Sequence, residues 1–495
     1  MVSRRSVLVG GGVVAMGTVL PGVAFAEPAT KQGEQTKTIT GTLPPDIPDW
    51  YYVPVDVPRG VRELEVVYSY DRPQVPAGQR SNALDIGVFD PSGHELGNAR
   101  GFRGWSGGFR DRFTISASAA TPGYLPGPVD AGRWHVILGP YTVAQQGLNY
   151  RVDITLRFGE PDEPVEPNPA PTTAPARERG RAWYRGDGHL HSVHSDGHRL
   201  PEEVVAAARA AGLDFMISTE HNTPSASLRW GDHATDDLLI VNGEEVTTRT
   251  GHWPAWHLPV GHWIDWRYRA DDHHGLKRFV DEVHRVGGVV VAAHPFANCV
   301  GCAWEYGYEL ADLVEVWNGP WTLDDEAAVT TWHGLLRTGH RQFAVGDSDA
   351  HNADQVVGLP HNVVLADGLN AGDLMAGLTR GRNWIAESVA VNLTMSVSDG
   401  HRTVGIGDTL RSDTGVPVTV EVSVTGAPGT SIRIIDQLGP EAVVPVGASG
   451  SGTARWTTQS RYSSFVRAEV RRPVPTSTTP DTMVALTNPV FLEGR

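Results

Sequence analysis

"GDGHLHSVHSDG", residues 186–197, places three histidines and two aspartates within twelve positions. In an extended segment His189 and His191 point the same way, because side chains two apart on a strand share a face. Both imidazoles can then reach one ion. Two histidines suit a polar, solvated loop equally well, so the rest of the chain has to decide. Of its twenty histidines, seventeen fall between 189 and 361. His189 and His191 follow a short strand, His221 ends "MISTEH" and Glu245 ends "LLIVNGEE". His294 ends "VVVAAH", and Asp349 with His351 end "FAVGDSDAH". Each lies where a parallel strand is expected to give way to its loop, the rim on which (β/α) barrels build their sites. Imidazoles and carboxylates converging there suit zinc, manganese or iron.

Such positioning needs strands alternating with helices, and residues 181–390 read that way. "PEEVVAAARAAG" (201–212) has proline at a first helical position and two acids in its first turn. It ends at Gly212 and runs into the buried strand "LDFMIST". "GLKRFVDEVHRVGG" is a helix followed by the strand "VVVAAHP", and "LLIVNGEEVT", "LVEVWNG" and "FAVGD" are further strands. The alternation implies parallel pairing through right-handed crossovers, hence an open α/β sheet or a (β/α) barrel. Residues 38–157 read as short alternating strands divided by Gly, Pro and Asp turns, an antiparallel β-sandwich or jelly roll. The linker 158–180 contains "PDEPVEPNPAPTTAPA", whose prolines make an extended spacer. Alternation returns over 391–495 ("VPVTVEVSVTG", "SIRIIDQ"), a second antiparallel β-sandwich.

A length of 495 residues accommodates two to four domains, and 40% hydrophobic content is that of a globular chain. Net charge is −16, and the only lysines are Lys31, Lys37 and Lys277. That leaves no basic footprint for nucleic acid or for an anionic membrane surface. Residues 1–26 carry Arg4 and Arg5, a Gly-rich apolar core too short to span a membrane, and Ala24-Phe25-Ala26 as a cleavage site. This reads as a twin-arginine signal peptide, with an ordinary secretory signal as the weaker alternative. Export, without membrane insertion, is the expectation. Cys299 and Cys302 are the only cysteines, and a local disulfide is expected in an oxidising compartment.

Six ordered motifs, "GDGHLHSVHSDG", "STEHNT", "GEEVTTRTGH", "AAHPF", "EVWNG" and "GDSDAHN", resemble those of the PHP (polymerase and histidinol phosphatase) metallohydrolases. The resemblance is strongest to their exported carbaryl-hydrolase-like branch, whose tail "FVRAEV" followed by "MVALTNPVFL" is similar to. It implies a distorted (β/α)7 TIM-like barrel holding two or three divalent metal ions (Zn, Mn or Fe). The implied ligands are His189, His191, Asp196, His221, Glu245, one of His252 or His257, His294, Asp349 and His351. Glu245, not Glu244, fits the family's G-x-E after Gly243 and would bridge two metals. Glu220 departs from the aspartate usual at that position, which is a supporting one. Amidohydrolase barrels also open with H-x-H but commonly bridge metals with a carboxylated lysine, and the only barrel lysine, Lys277, sits in a helix.

Other residues carry weaker expectations. His194 is read as a group that hydrogen-bonds a ligand, touches substrate or helps a leaving group, and Asp187 as support for a strand end or a group that orients a ligand. Glu315 and Asn318 are read as lining the site. Arg229, Arg267 and Arg269 lie in loops after strands, where they could hold an anionic group or sit at the surface. The aromatic run "GHWPAWHLPVGHWIDWRY" suits an apolar leaving group or a packed core equally. The leading expectation is an exported phosphoesterase in which metal-activated hydroxide attacks a small-molecule ester. A carbamate or carboxyl ester hydrolase with the same metals is the second reading. A secreted, non-catalytic binding protein is the third, with the sandwiches as surfaces for glycan or polymer contact.

Overall fold

The computed structural model describes residues 24–25, 29–31, 33–272, 274–475 and 480–495. Arg4, Arg5 and Ala26, on which the signal-peptide reading rests, lie outside the described residues, as does His273. Two antiparallel sheets build the N-terminal part. One runs Glu34–Leu43, Leu148–Phe158, Val61–Tyr70, Arg112–Ser116, with Ala24–Phe25 and Ala29–Lys31 both paired to the first strand. The other runs Tyr51–Val57, Gly132–Thr142, Ala83–Phe89, Phe102–Gly107. Period-two alternation drives this: Val53, Val55 and Val57 are buried while Pro54 and Asp56 between them are exposed. The inward valines meet Ile39, Val66 and Val152 of the opposite sheet in one core.

In the central part, β1 (Ala182–Asp187), β2 (Phe215–Ser218) and β3 (Leu239–Thr248) pair in parallel. Helix α1 (Pro201–Ala210) connects the first two, its entry fixed by the Glu203 carboxylate, which accepts from the Leu200 N–H at 2.7 Å. Strand β4 (Gly251–Trp256) folds back antiparallel on β3, because only Arg249 and Thr250 separate them and so short a connection closes only a hairpin. Gly251, at φ +135°, takes the turn's exit. After α2 (Gly275–Arg285), β5 (Val289–Ala292) runs antiparallel to β4 and parallel to β6 (Leu313–Asn318). After α3 (Leu323–Arg337), β7 (Phe343–Asp347) pairs parallel with β6. Then β8 (His361–Ala366) lies antiparallel to β1, and α4 (Ala371–Leu378) leads to β9 (Asn383–Ala386). The same sheet continues through Thr482–Thr487 and Phe465–Arg472 to Ser431–Asp436 and Gly439–Pro445.

The chain is thus multidomain and mostly β, with four α-helices among the described residues. The expected uniform parallel alternation is interrupted at β4 and β8. Nor does a ladder join β7 to β8 or β9 among the described residues, so the sheet is open where a barrel would close. Side-chain amides stand at that seam. Asn488 accepts from the Ala344 N–H at 2.7 Å and donates to the Ala344 carbonyl at 2.9 Å. Asn383 donates to the same carbonyl at 2.9 Å, and Asn362 bonds the Gly346 N–H and carbonyl at 3.3 and 3.1 Å. Buried backbone groups must be paired, and these asparagines do it where no neighbouring strand does.

The N-terminal sandwich is packed onto the central part. Phe89, Phe102, Trp105 and Ile137 share a buried cluster with Val246, Trp253, Trp266 and Phe279. The aromatic run is therefore mostly core: Trp253 donates to the Tyr268 hydroxyl, Trp256 to the Gly188 carbonyl, and Trp263 stacks on Phe102. Among the described residues no helix is long and apolar enough to cross a membrane.

Candidate metal centre

Strand alternation in the β3–β4 hairpin determines which side chains reach the site. Gly243, Glu245 and Thr247 share one face with His252, which opposes Thr247; Glu244, Val246 and Trp253 share the other. Glu245 becomes the hub. Its Oε2 lies 2.8 Å from His221 Nδ1, 3.2 Å from His189 Nε2 and 3.4 Å from His191 Nε2. Its Oε1 lies 3.1 Å from His252 Nδ1 and 3.2 Å from His294 Nε2. Asp349 Oδ1 is 3.0 Å from His191 Nε2 and 3.4 Å from His189 Nε2. Asp196 Oδ1 is 3.3 Å from His351 Nε2 and 3.4 Å from His221 Nε2.

The structure brings together all nine residues for which the motifs imply ligation. They form four overlapping groups: His191, Asp196, His221 and His351; His189, His191 and Asp349; His189, Glu245 and His294; His221, Glu245 and His252. Between His252 and His257, only the first enters. His257 sits just past β4 at φ +63°, its Nδ1 3.3 Å from the Gly287 carbonyl. The donor set suits a divalent cation in a further respect. His189 Nε2, His191 Nε2, Asp196 Oδ1, Glu245 Oε2, His252 Nε2, His294 Nδ1 and Asp349 Oδ1 are buried without a hydrogen-bond partner. Five of them, His189 Nε2, His191 Nε2, Asp196 Oδ1, Glu245 Oε2 and Asp349 Oδ1, are the atoms through which the cluster's side chains face one another, and leaving such groups without directed hydrogen bonds is a cost that a divalent cation would offset.

Surrounding residues hold the donors in place. Glu315 meets His189 Nδ1 at 3.1 Å and accepts from the His294 N–H at 2.8 Å and Asn318 Nδ2 at 2.9 Å. Asn318 reaches on to Asp349 Oδ2 at 3.3 Å. Glu220 accepts from the Ser192 N–H at 3.1 Å and from the hydroxyls of Ser192 and Ser195 at 2.5 Å, pinning the loop that carries His191 and Asp196. Asp187 accepts from the Ser348 and Gly358 N–H groups at 3.0 and 2.8 Å, tying the end of β1 to the loop after β7. Of these contacts, that of Glu315 on His189 Nδ1 is the kind that orients a metal-binding imidazole. His294 (φ +23°), Asp349 (φ +48°) and Asn222 (φ +55°) are non-glycine residues in the left-handed region, strain that clusters here.

The electrostatics are those of imidazoles and carboxylates balancing one another. Burial opposes ionisation of Glu245, but His221, His189 and His252 hold its carboxyl well below the usual range. Asp349 is held down likewise against burial by His189 and His351. Burial, with the neighbouring His351 and His221, pushes His191 down to about 3, whereas Asp349 and Asp196 outweigh burial at His351 and raise it to about 10.

Four further residues named from the sequence stand as follows. His194 points its Nδ1 at Ser225 Oγ, 2.8 Å away, and burial with the nearby Arg110 lowers it to about 4. Arg229 pairs with Asp232 at 2.6 Å and Arg269 with Asp49 at 2.6 Å, both half-exposed, and Arg267 is locked on Asp265 at 2.7 Å. Local carboxylates already take up these guanidinium groups. The arginine that faces the cluster is Arg249, in the β3–β4 turn. It lines a cavity of about 360 Å³ with Asp196, His221 and His252, and with Trp50, Asp85, Trp105 and Tyr141 from the sandwich. It stands inside "EVTTRTGH", midway between Glu245 and His252, and its place in that motif was the available signal.

Fold and site together define a class: a strand-rich multidomain chain gathering a His/Asp/Glu cluster of the kind that binds divalent metals. No known family model matches the chain, and no curated protein does. Among solved structures it is similar to a two-domain protein from Bacteroides vulgatus ATCC 8482 containing a predicted PHP-like metal-dependent phosphoesterase (16% identity, 67% of this chain and 100% of that one, TM-score 0.35). It is similar also to a putative metal-dependent phosphoesterase from Bifidobacterium adolescentis ATCC 15703 (18% identity, 39% and 94% coverage, TM-score 0.26). A third is an amidohydrolase from Chromobacterium violaceum with bound sulfate and no metal (17% identity, 35% and 89% coverage, TM-score 0.26). These likenesses are remote, and the functional reading rests on the site.

Proposed function

We propose that this chain is an exported metal-dependent phosphoesterase of the PHP kind, with two or three divalent ions (Zn, Mn or Fe) held by the nine clustered residues. The observation that carries this is the gathering of nine imidazoles and carboxylates into overlapping groups, five of whose facing atoms are buried without a directed hydrogen bond. When bound, divalent ions at such a site activate water for attack and neutralise charge that develops on the phosphoryl oxygens. The chain's own residues do the rest. Glu315 fixes the His189 ring, Glu220 fixes the Asp196 loop, and Thr247 Oγ1 lies 2.5 Å from His221 Nδ1. Arg249 offers a guanidinium in the cavity beside the cluster, which supports an anionic phosphoester over a neutral carbamate.

The decisive experiment is metal analysis of the purified mature protein, followed by assay against phosphomonoesters, phosphodiesters and aryl carbamates. His191→Ala and Glu245→Ala should lose both metal and phosphatase activity. Full activity in either overturns the reading, and a metal-free protein with all nine residues intact favours the binding-protein alternative. Export is tested by replacing Arg4 and Arg5 with lysine, which should retain the precursor in the cytoplasm.

A further inference from the structure

We propose that the N-terminal sandwich forms the second half of the substrate pocket, and that Arg249 and the sandwich aromatics select phosphoesters whose organic group is a planar ring. This rests on the phosphoesterase reading above and names its substrate class.

The Arg249 side chain is 7% exposed, and its Nε, Nη1 and Nη2 are all buried without a hydrogen-bond partner. The nearest carboxylate oxygen, Asp85 Oδ2, lies 3.6 Å away, within ion-pair reach but too long for a hydrogen bond. A buried guanidinium without acceptors is costly. Here Asp85 and two ring faces sustain it: its carbon is 3.9 Å from the Tyr141 ring centroid and 4.9 Å from that of Trp50. Its planar fork of donors is therefore committed to no protein acceptor in the cavity wall, and a small side-chain shift would offer it to acceptor oxygens in the geometry that binds phosphate through two parallel hydrogen bonds.

Beyond the arginine the wall is aromatic and comes largely from the sandwich. Trp50 is half-buried, with Trp105 and Trp266 edge-on to it at centroid distances of 5.8 and 5.6 Å. Gly139 makes this convergence possible. A Cβ there would fall 2.9 Å from Trp105 Cη2, 3.0 Å from Trp50 Cζ3 and 3.2 Å from Arg249 Nη2. The cavity of about 360 Å³ is at the small end of ligand pockets, the size for a compact ring. An anionic head placed between Arg249 and the metal-side residues would put that ring against Trp50 and Trp105.

The test is calorimetric binding of phenylphosphonate and methylphosphonate to the metal-loaded full chain. Both carry the anionic head and lack the ester bond. Phenylphosphonate should bind about tenfold tighter, from burial of one ring. Trp50→Ala should abolish that preference, and Arg249→Met should weaken both ligands about tenfold or more at unchanged metal content. Equal affinity of the two phosphonates for the unaltered protein overturns the proposal, as does unchanged binding in folded Arg249→Met. If Arg249→Met does not fold, the phenyl-to-methyl ratio and the half-buried Trp50→Ala decide. Phenylphosphonate bound in the expected pattern without turnover of phenyl phosphate would retain the pocket and remove the phosphoesterase reading. Turnover of phenyl and ethyl phosphate at equal efficiency would do the reverse.

Discussion

Glu244 and Glu245 are consecutive on β3 and serve opposite environments. Glu245 lies within 3.4 Å of five imidazoles, while both oxygens of Glu244 sit 3.4 Å from the Ile264 N–H on the far face. Burial pushes the Glu244 carboxyl well above its ordinary range, whereas the imidazoles outweigh burial and hold Glu245 well below it. Glu245→Gln should therefore lose at least one equivalent of metal by elemental analysis. Glu244→Gln, a change of the same shape on the far face of the strand, should keep the full complement. Equal metal loss in the two variants would contradict the assignment.

The open seam beside β7 gives a stability prediction. Asn488→Leu leaves the Ala344 N–H without its partner in a buried place. An unpaired buried backbone group costs about 1–3 kcal/mol, so the thermal midpoint should fall by roughly 2–12 °C. A midpoint unchanged in differential scanning calorimetry would show that the amide does not hold the seam.

His361 makes stability depend on pH. It is fully buried, its Nδ1 2.8 Å from the Gly358 carbonyl and its Nε2 2.9 Å from Arg185 Nη1. Nδ1 thus donates, and Nε2 accepts from the guanidinium, so the ring is neutral. Burial, aided by Arg185, lowers it to about 4 from 6.5. Between those values the unfolded chain binds the proton and the folded one does not, so stability rises with pH. The contribution is complete above pH 6.5 and is lost as pH falls toward 4, about 3 kcal/mol at most. His361→Gln should flatten the urea midpoint against pH over that interval, and an unaltered slope would refute the assignment.

The Cys299–Cys302 disulfide, expected from the sequence, forms a loop with a position that matters for the pocket. The Gly251 N–H donates to the Gly301 carbonyl at 2.9 Å, and the Tyr141 hydroxyl donates to the Val300 carbonyl. The loop therefore braces the turn that carries Arg249 against the sandwich. Cys299→Ser with Cys302→Ser should raise KM for an anionic ester about threefold, the scale of one weakened hydrogen bond, with kcat and metal content nearly constant. A fall in kcat with KM unchanged would place the brace elsewhere.

Much of the site was legible because its determinants are local. A strand end with H-x-H, "TEH", "AAH" or "DSDAH" carries its donors in the few residues that also end the strand, so periodicity and residue type locate them together. Glu245 over Glu244 was implied by the resemblance, whose G-x-E follows Gly243, and strand alternation supplies the physical reason. The choice between His252 and His257 could not be made so early. It depended on β4 folding back, which reverses the chain and sets His252 opposite Thr247.

What the sequence by itself determined was the strand-end placing of His189, His191, His221, Glu245, His294, Asp349 and His351, the strand-rich flanks and the cysteine pair, all consequences of short-range pattern. Only the tertiary structure decided that β7 meets asparagines instead of a closing strand, and that Arg229 and Arg269 are taken up by nearby carboxylates. It alone also showed that the wall facing the donors comes from Trp50, Asp85, Trp105 and Tyr141, more than a hundred positions before Arg249. Those contacts are made between separately folded faces, where burial of aromatic surface sets the fit, and no spacing along the chain encodes which faces meet.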